Sequence, residues 1–435
     1  MTPLARCRRM ASWLGAAAGL LAAFPATARA DAPSLFGFGA RSAGMARAGV
    51  ATDDAGAAAR ENPALASTPG LRVRIGYGYG APALTFDGKD AGVPRASGVD
   101  LAAQYGAHVG LGVEIGLALG LHLPDPYLAK VTFRPATEPQ FPLYEASLQR
   151  TTFDVAVAVR YGPLFVGGGV AAGLGVGGEG TRFVLAQDGH GTHADGSVDV
   201  ALPYRVAPIV GARADLGRFA FGAMFRGAMG LDLRLDSDAR IALAGTPLNG
   251  TTTVRVSGTA GYAPAVITIG ARAKLFGGLA ALGSIEYAVY SAAPPPVADV
   301  TIDLRLGTTP GLRDVKFPAP RFRDTLAPRF GLELRRPSPE AWQWAARAGY
   351  AFQPSPIPTQ NGITSYADAK RHQIAIGGGY HFGRAFGVDF SADAAAQAHL
   401  FATRTETKDN PALPYARFEV GGRIFYGAVT LEASW

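Results

Sequence analysis

One cysteine in 435 residues, Cys7, is all the thiol chemistry this sequence has. Its absence from the rest of the chain excludes disulfides, thiolate metal sites and thiol catalysis there, so backbone pairing and burial must hold the fold together. Charge is sparse as well, at 17% of residues, and the basic side chains stand singly among acids rather than in runs. A net charge of +7 spread in this way is not a nucleic-acid footprint. Beyond the first thirty residues there is no apolar run of the roughly 20 residues that a spanning helix needs. The nearest approach, Pro163–Gly178, is too short and is interrupted by glycine at almost every turn.

The N-terminus has the pattern of an export signal. Arg6, Arg8 and Arg9 precede an apolar or small stretch from Ala11 to Phe24, and Ala28-Arg29-Ala30 forms a small-x-small cleavage pattern. Cleavage after Ala30 would remove Cys7 and four arginines, leaving +3 of the +7. The chain is then expected to divide into a signal (1–30), an N-terminal segment (31–70) and one large unit (71–435). The proline-rich stretches Ala292–Asp299 and Phe352–Gly362 are short and flanked by strand-like sequence, so they read as loops, not linkers.

From Leu71 onward the dominant period is two. Leu71, Val73, Ile75 and Tyr77 share one face while Arg72, Arg74 and Gly76 share the other. The pattern returns at Phe153–Tyr161, Leu231–Asp236, Val300–Leu306, Phe330–Arg335 and Phe386–Asp393. Soluble sandwiches alternate too. Four features together point to a membrane barrel: an export signal, no thiols, apolar faces ending in Tyr77, Tyr161 and Tyr426, and charged faces rich in glycine and alanine. Without an apolar helix, a closed barrel is the way left to satisfy every backbone group in lipid. Alternating segments begin at seventeen places, some of which must merge, so fourteen or sixteen strands both fit. At the C-terminus Val429, Leu431, Ala433 and Trp435 share a face, and the terminal aromatic resembles a signal for the barrel-assembly machinery.

Catalytic and metal readings find little support. His190 and His193, with Asp188 and Asp195, lie in a glycine-rich stretch that also reads as a solvated turn. The glycine run 173–180 lacks the helix and Lys-Ser/Thr of a phosphate loop. No spacing selects a nucleophile and base. No cofactor, metal or nucleic-acid partner is expected.

Residues 49–67, GVATDDAGAAARENPALAS, read as a short helix capped by Thr52 or Asp53 and stopped by Pro63, which restricts Asn62 to an extended form. With the preceding glycines and alanines they carry Gly44, Ala48, Gly49, Asp54, Ala55, Asn62, Pro63 and Ala64. This spacing resembles the N-terminal hatch of the FadL/TodX family of outer-membrane hydrophobic-compound transporters. A second block is similar to the same family through Gly349, Tyr350, Phe352, Pro356, Pro358, Asp368, Arg371, His372, Gly377, Gly379 and Tyr380. Glu286, Tyr290 and Ser291 resemble a third strand end, with Tyr290 where the family has tryptophan. Arg60-Glu61 also depart from the family, which has an aromatic or glycine before Asn62.

The resemblance implies an all-β transmembrane barrel of about fourteen antiparallel strands with a helical hatch in its lumen. It implies passive uptake of long-chain fatty acids or aromatic hydrocarbons, with lateral exit where an early strand kinks. On that reading Gly44, Asp53, Asp54, Asn62, Pro63 and Ala64 belong to the hatch. Leu35, Phe36, Phe38 and Met45 line the ligand path, with Arg72 or Arg160 for any carboxylate. The kink is expected among Gly110, Gly112, Gly116 and Gly120. The expected setting is the outer membrane, with its lipid, lipopolysaccharide and assembly machinery as surroundings, and the expected state is a monomer. A general diffusion porin and a lipid-acting barrel enzyme are the alternatives.

Overall fold

A computed structural model describes residues 32–125, 136–144, 150–174, 178–188, 191–198, 204–243, 250–296, 298–306, 320–337 and 342–435. The export-signal expectation, with Cys7, lies outside them, as does His190. Fourteen strands form the wall. They are β1 (Gly70–Phe86), β3 (Ala96–Gly110), β4 (Val113–Pro124), β5 (Thr152–Tyr161), β6 (Leu164–Leu174), β9 (Tyr204–Leu216) and β10 (Phe219–Arg226), followed by β13 (Ala265–Lys274), β14 (Leu279–Val289), β16 (Thr325–Pro337), β17 (Trp342–Gln353), β18 (Arg371–Ala385), β19 (Val388–Thr407) and β20 (Arg417–Ser434). The wall closes because β1 pairs with both β3 and β20, antiparallel to each. Closure leaves no sheet edge in lipid.

The sidedness follows from alternation. On β1, Leu71, Val73, Ile75, Tyr77 and Tyr79 are exposed outward while Arg74, Gly76, Gly78 and Gly80 are buried inward. Among the described residues no helix is long and apolar enough to cross a membrane, so the strands do the spanning. Trp435 closes the ladder with Leu71 through N–H···O contacts of 2.9 and 3.4 Å. Tyr426 faces inward and stacks on Phe36 at 4.2 Å, contrary to its expected place in an outer girdle.

Strands are joined by short turns at one end and by long excursions at the other. The short-turn end is the periplasmic one in barrels of this architecture. At the long-loop end β2 (Lys89–Asp90) extends β1, and a second, five-stranded sheet stands apart from the wall. It is made of β7 (Gly178–Asp188), β8 (Gly191–Val198), β11 (Met229–Leu243), β12 (Gly250–Ala263) and β15 (Ala298–Leu306), in the order β15-β12-β11-β7-β8. Two segments read as wall strands from their alternation, Leu231–Asp236 and Val300–Leu306, belong to this sheet. A period of two marks any two-faced strand and carries no information on which sheet it joins.

The N-terminal segment fills the lumen. It runs through α1 (Ala32–Phe36), α2 (Ala40–Gly44), a 3₁₀ turn (Ala55–Ala57), α3 (Ala58–Glu61) and a second 3₁₀ turn (Pro63–Ser67). None of these is long enough to be stable alone. Their backbone instead lies against glycines of the wall. A Cβ at Gly116 would collide with the carbonyl of Ala66, one at Gly222 with that of Val50, and one at Gly349 with the main chain of Met45 and Ala46. Gly106, Gly167 and Gly211 meet Thr68, Pro63 and Asn62 in the same way.

The expected kink does not break β4. Its ladder with β5 is continuous from Val113↔Tyr161 to His122↔Thr152, and that with β3 runs from Gly98↔Pro124 to His108↔Glu114. Gly110 and Gly112 flank Leu111 in the β3–β4 turn, all three at positive φ, while Gly116 and Gly120 receive the plug. Side-chain absence here makes room for another backbone rather than weakening the wall.

Gly116→Val or Gly349→Val adds volume where there is none, at a cost of about 1–3 kcal/mol. The barrel should still fold, as read from heat-modifiable gel migration. Protease should then cleave residues 32–69 faster and ion conductance in planar bilayers should rise.

Candidate functional site

Three of the plug's charged side chains reach the wall near the short-turn end. Arg41 of α2 grips Glu333 of β16 with two hydrogen bonds of 2.9 Å, and contacts Asp53 at 2.5 Å. Glu333 also receives Arg347 of β17 at 2.8 Å and Arg335 at 3.0 Å, and Arg347 continues to Asp393 of β19 at 2.5 Å. Asp53 takes Arg272 of β13 at 2.8 Å, and Asp54 takes Arg74 of β1, which also pairs with Glu432 of β20. The plug is thus tied directly to β1, β13 and β16, and through their partners to β17, β19 and β20, by charges that are mostly buried.

Burial pushes the Asp53 carboxyl up, but Arg41, Arg335 and Arg272 outweigh it and hold it well below the usual carboxylate range. Burial likewise opposes Arg74 and Arg41 at Asp54, and the arginines again prevail. A lowered acid contributes stability above its unfolded pKa and loses it only as pH falls through the folded value. Mild acidification therefore leaves this latch intact.

A second set of contacts lies deeper along the plug. Arg60 pairs with Asp154 of β5 at 3.1 Å and donates to Ser34 at 2.6 Å, and Arg226 of β10 reaches the same Asp154 at 2.7 Å. Glu61 accepts from Ser42 at 2.7 Å. Arg60-Glu61, the departure from the family pattern, are cross-links within the plug and to the wall.

Asn62 is extended, as the following proline requires, and wholly buried. Its side chain donates to the carbonyls of Val50 at 2.8 Å and Ala212 at 3.2 Å, and accepts from Ala64 N–H at 3.1 Å. The helix stops at Glu61 as expected, and Asn62 then caps a second turn that Pro63 begins. Neither Thr52 nor Asp53 caps the first; Asp54 holds that position without a side-chain bond, and Asp53 is drawn to three arginines instead.

The plug separates two cavities. The lower one, about 300 Å³, opens toward the short turns and is lined by Arg72, Asp53, Arg335, His381 and Asp389 among others. The upper one, about 110 Å³, lies toward the long loops. Pro33, Leu35 and Val50 of the plug form its floor, Met224, Met229, Val266 and Ala288 its wall, and Leu143, Tyr144, Tyr290 and Pro356 its roof. Its charged groups are largely engaged: Arg47 and Arg329 converge on Glu286 at 3.0 and 2.5 Å. Arg371 is freer. It lies near the rings of Tyr144 and Phe401, both at 5.9 Å, has a 3.5 Å contact to the Tyr144 hydroxyl, and its Nε has no hydrogen-bond partner among the described residues.

Of the expected ligand-path residues, Leu35 lines this cavity. Phe36 is clamped between Tyr426 and His399, Phe38 packs on Ala57 and Ala102, and Met45 on Ala48 and Leu282, so these three seat the plug. Gly44 touches Gly377. Arg72 and Arg160 are inward of the lipid face but far from the cavity, at the short-turn end, where Arg72 bonds Gln104 at 2.9 Å and Arg160 bonds Glu114 at 2.8 Å. The residues that sequence reasoning missed, Arg41, Arg74, Glu333 and Arg347, find partners up to 358 positions away, a distance no local pattern spans. Arg371 stood in a matched block but carried no sign of its role. The His193 side chain falls outside what is described, and no metal-binding group occurs among the described residues.

The geometry defines a class: a closed fourteen-stranded transmembrane barrel, obstructed by its own N-terminal segment, with an apolar-lined cavity above the obstruction. No protein-family model and no curated protein matches the sequence. Solved structures do match the fold. A Pseudomonas aeruginosa FadL homologue shares 14% identity over 95% of this chain and 98% of its own, with a TM-score of 0.53. The Pseudomonas putida toluene transporter TodX gives 14%, 92%, 99% and 0.54. The Ralstonia pickettii toluene transporter TbuX gives 16%, 92%, 98% and 0.51. The chain has the fold of these barrels.

Two outcomes follow from the site. Glu333→Gln removes one partner of a buried cluster and should destabilise the folded state by about 3–5 kcal/mol, measured by urea unfolding in detergent, with faster proteolysis of the plug. Asp368, in the loop before β18, is raised by burial to about 6 against the pull of its hydrogen bonds and Arg371. A raised acid stabilises below its unfolded pKa and loses that contribution as pH rises through the folded value. Protection factors in residues 354–370, corrected for the intrinsic rise of exchange with pH, should therefore fall between pH 4 and pH 7, and Asp368→Asn should remove that fall.

Proposed function

We propose that this chain is an outer-membrane channel for passive uptake of hydrophobic compounds. The observation that carries the reading is the upper cavity: a chamber inside a closed wall, lined by apolar side chains together with Glu286, Asp368 and several arginines, and floored by a plug that separates it from the lower side. Apolar solutes are retarded by a polar lipopolysaccharide surface, and a chamber of this lining gives them a site beyond it. Transfer from water to the membrane interior is downhill at about 0.8 kcal/mol per buried CH₂, so no coupled energy source is required. The fold shared with toluene transporters supports the same reading.

The closed cavity is near the scale of the roughly 150 Å³ apolar void that admits a benzene ring. It holds one small ring or a short length of alkyl chain, so a longer ligand requires the roof loops or the plug to move. The plug is many small elements with little internal stability, seated by wall contacts, and Leu35, Val50 and Pro33 are the part of it that a ligand touches first. Asn62-Pro63-Ala64 is the joint that holds it to β9. An acidic headgroup entering the chamber meets Arg371. A general diffusion porin is disfavoured by the obstruction of the lumen.

In planar bilayers the protein should show little steady ion conductance, while liposomes carrying it take up labelled alkylbenzene or fatty acid faster than liposomes without it. Arg371→Gln should lower fatty-acid uptake several-fold and leave alkylbenzene uptake near its starting rate. Free ion conductance with no hydrophobic uptake is the result that overturns the reading.

A further inference from the structure

The short-turn end carries a feature that passage through the lumen does not use. Leu111 is 97% exposed at the apex of the β3–β4 turn, Phe276 78% exposed in the β13–β14 turn, and Phe386 fully exposed at the apex of the β18–β19 turn. The β5–β6 turn presents Tyr161 and Leu164, and the β9–β10 turn Leu216 and Phe219, all exposed. Every short turn described at this end is therefore apolar at or beside its tip, where water-facing turns favour Gly, Asn and Asp. Leu111 and Phe386 also sit at φ of 53° and 54°, a left-handed conformation that bulky residues seldom adopt. The chain holds large apolar side chains outward against both hydration and backbone preference.

Cations stand in the same turns. Arg218, Lys274 and Arg384 are exposed, and Arg218 and Arg384 are steadied by the carbonyls of Lys274 and Gly387 at 3.2 Å each. Of the neighbouring acids, Asp215 pairs with Arg213 at 2.9 Å and Glu114 with Arg160 at 2.8 Å, while Asp389 stands across the ladder from Arg384 and 3.7 Å from His381.

We propose that this end of the barrel is a phospholipid-binding collar, in which the turn tips enter the glycerophospholipid leaflet and Arg218, Lys274 and Arg384 meet its phosphates. The tips recur around the perimeter, from the β3–β4 turn through to the β18–β19 turn. A leaflet surrounds a barrel and touches all of them at once, whereas a globular partner would engage an arc. The tips are continuous with the lipid-facing wall, since Phe382, Phe390 and Trp435 are exposed just above them. The charge is complementary to lipid phosphate, and long basic side chains reach headgroups while their stems stay in apolar surroundings. The collar is independent of what the lumen carries.

The test is a depth measurement. The full chain with Cys7→Ser receives one cysteine at a time, Leu111→Cys, Phe276→Cys or Phe386→Cys, with Asn410→Cys in the exposed β19–β20 loop as the water reference. Each is labelled with an environment-sensitive fluorophore in vesicles of phosphatidylethanolamine and phosphatidylglycerol, after heat-modifiable migration confirms folding. With iodide present on both sides of the bilayer, the three tip labels should be quenched several-fold less than the Asn410 label, and strongly by phospholipid bearing a nitroxide near its glycerol. Changing Arg218, Lys274 and Arg384 together to Gln should move the Phe386 label toward water in these vesicles. Iodide quenching at all three tips equal to that at Asn410 overturns the proposal, and so does protection that arises only on adding a soluble protein. No shift in the triple variant overturns the role given to the cations.

Discussion

An ion placed in a low-dielectric interior must find a partner or lose its charge, and most of this structure is arranged around that constraint. The wall is apolar outside because it meets lipid, and so its polar residues face in. Arginines and carboxylates of facing strands would repel or remain uncompensated if the lumen were simply filled with apolar groups. The plug supplies the missing members: Arg41 completes a cluster around Glu333, and Asp53 and Asp54 answer Arg272, Arg335 and Arg74. Such clusters add less net stability than their number suggests, since desolvation offsets attraction. Their effect is on placement, because few other positions of the plug would satisfy the same charges.

Glycine and charge divide the labour along the plug. Where its backbone runs close to the wall, the facing residue is glycine, as at Gly116, Gly222 and Gly349. Where side chains meet, the pairs are ionic or amide to carbonyl, as with Gln104 to Ala66 and Thr68, and Gln397 to Phe36 and Ala43. The upper cavity is left where neither kind of contact closes the gap. Selective opening there is compatible with a tight fit elsewhere, since the plug's floor residue Leu35 belongs to the five-residue α1 and Val50 to no helix, so little regular structure is disrupted.

The barrel class was legible in the sequence because lipid imposes a period of two, and Leu71–Tyr79 of β1, Phe153–Tyr161 of β5 and Val429–Ala433 of β20 display it. The plug was expected from the resemblance of Asn62-Pro63-Ala64 and its surroundings to a family hatch, and the proline by itself gave only the extended backbone of Asn62. The detached sheet was not, because β11 and β15 alternate as wall strands do. Tyr426 was misread for a related reason: a tyrosine near a strand end suits a girdle, and only the stacking partner Phe36, 390 positions earlier, draws it inward. The charged latch was invisible because each partner is unremarkable alone, and pairing between residues such as Arg74 and Glu432 is created by closure of the wall.

That closure has an assembly meaning. The carboxylates of Asp53 and Asp54 draw on arginines from β1, β13 and β16, and Arg41 on a carboxylate that is itself shared with β17. Before the last strand has paired with β1, Arg74 lacks Glu432 and the plug's anions lack a full set of counter-charges. The seated plug thus acts as an internal gauge of completion: its electrostatic balance is reached only in a barrel whose first and last strands have met.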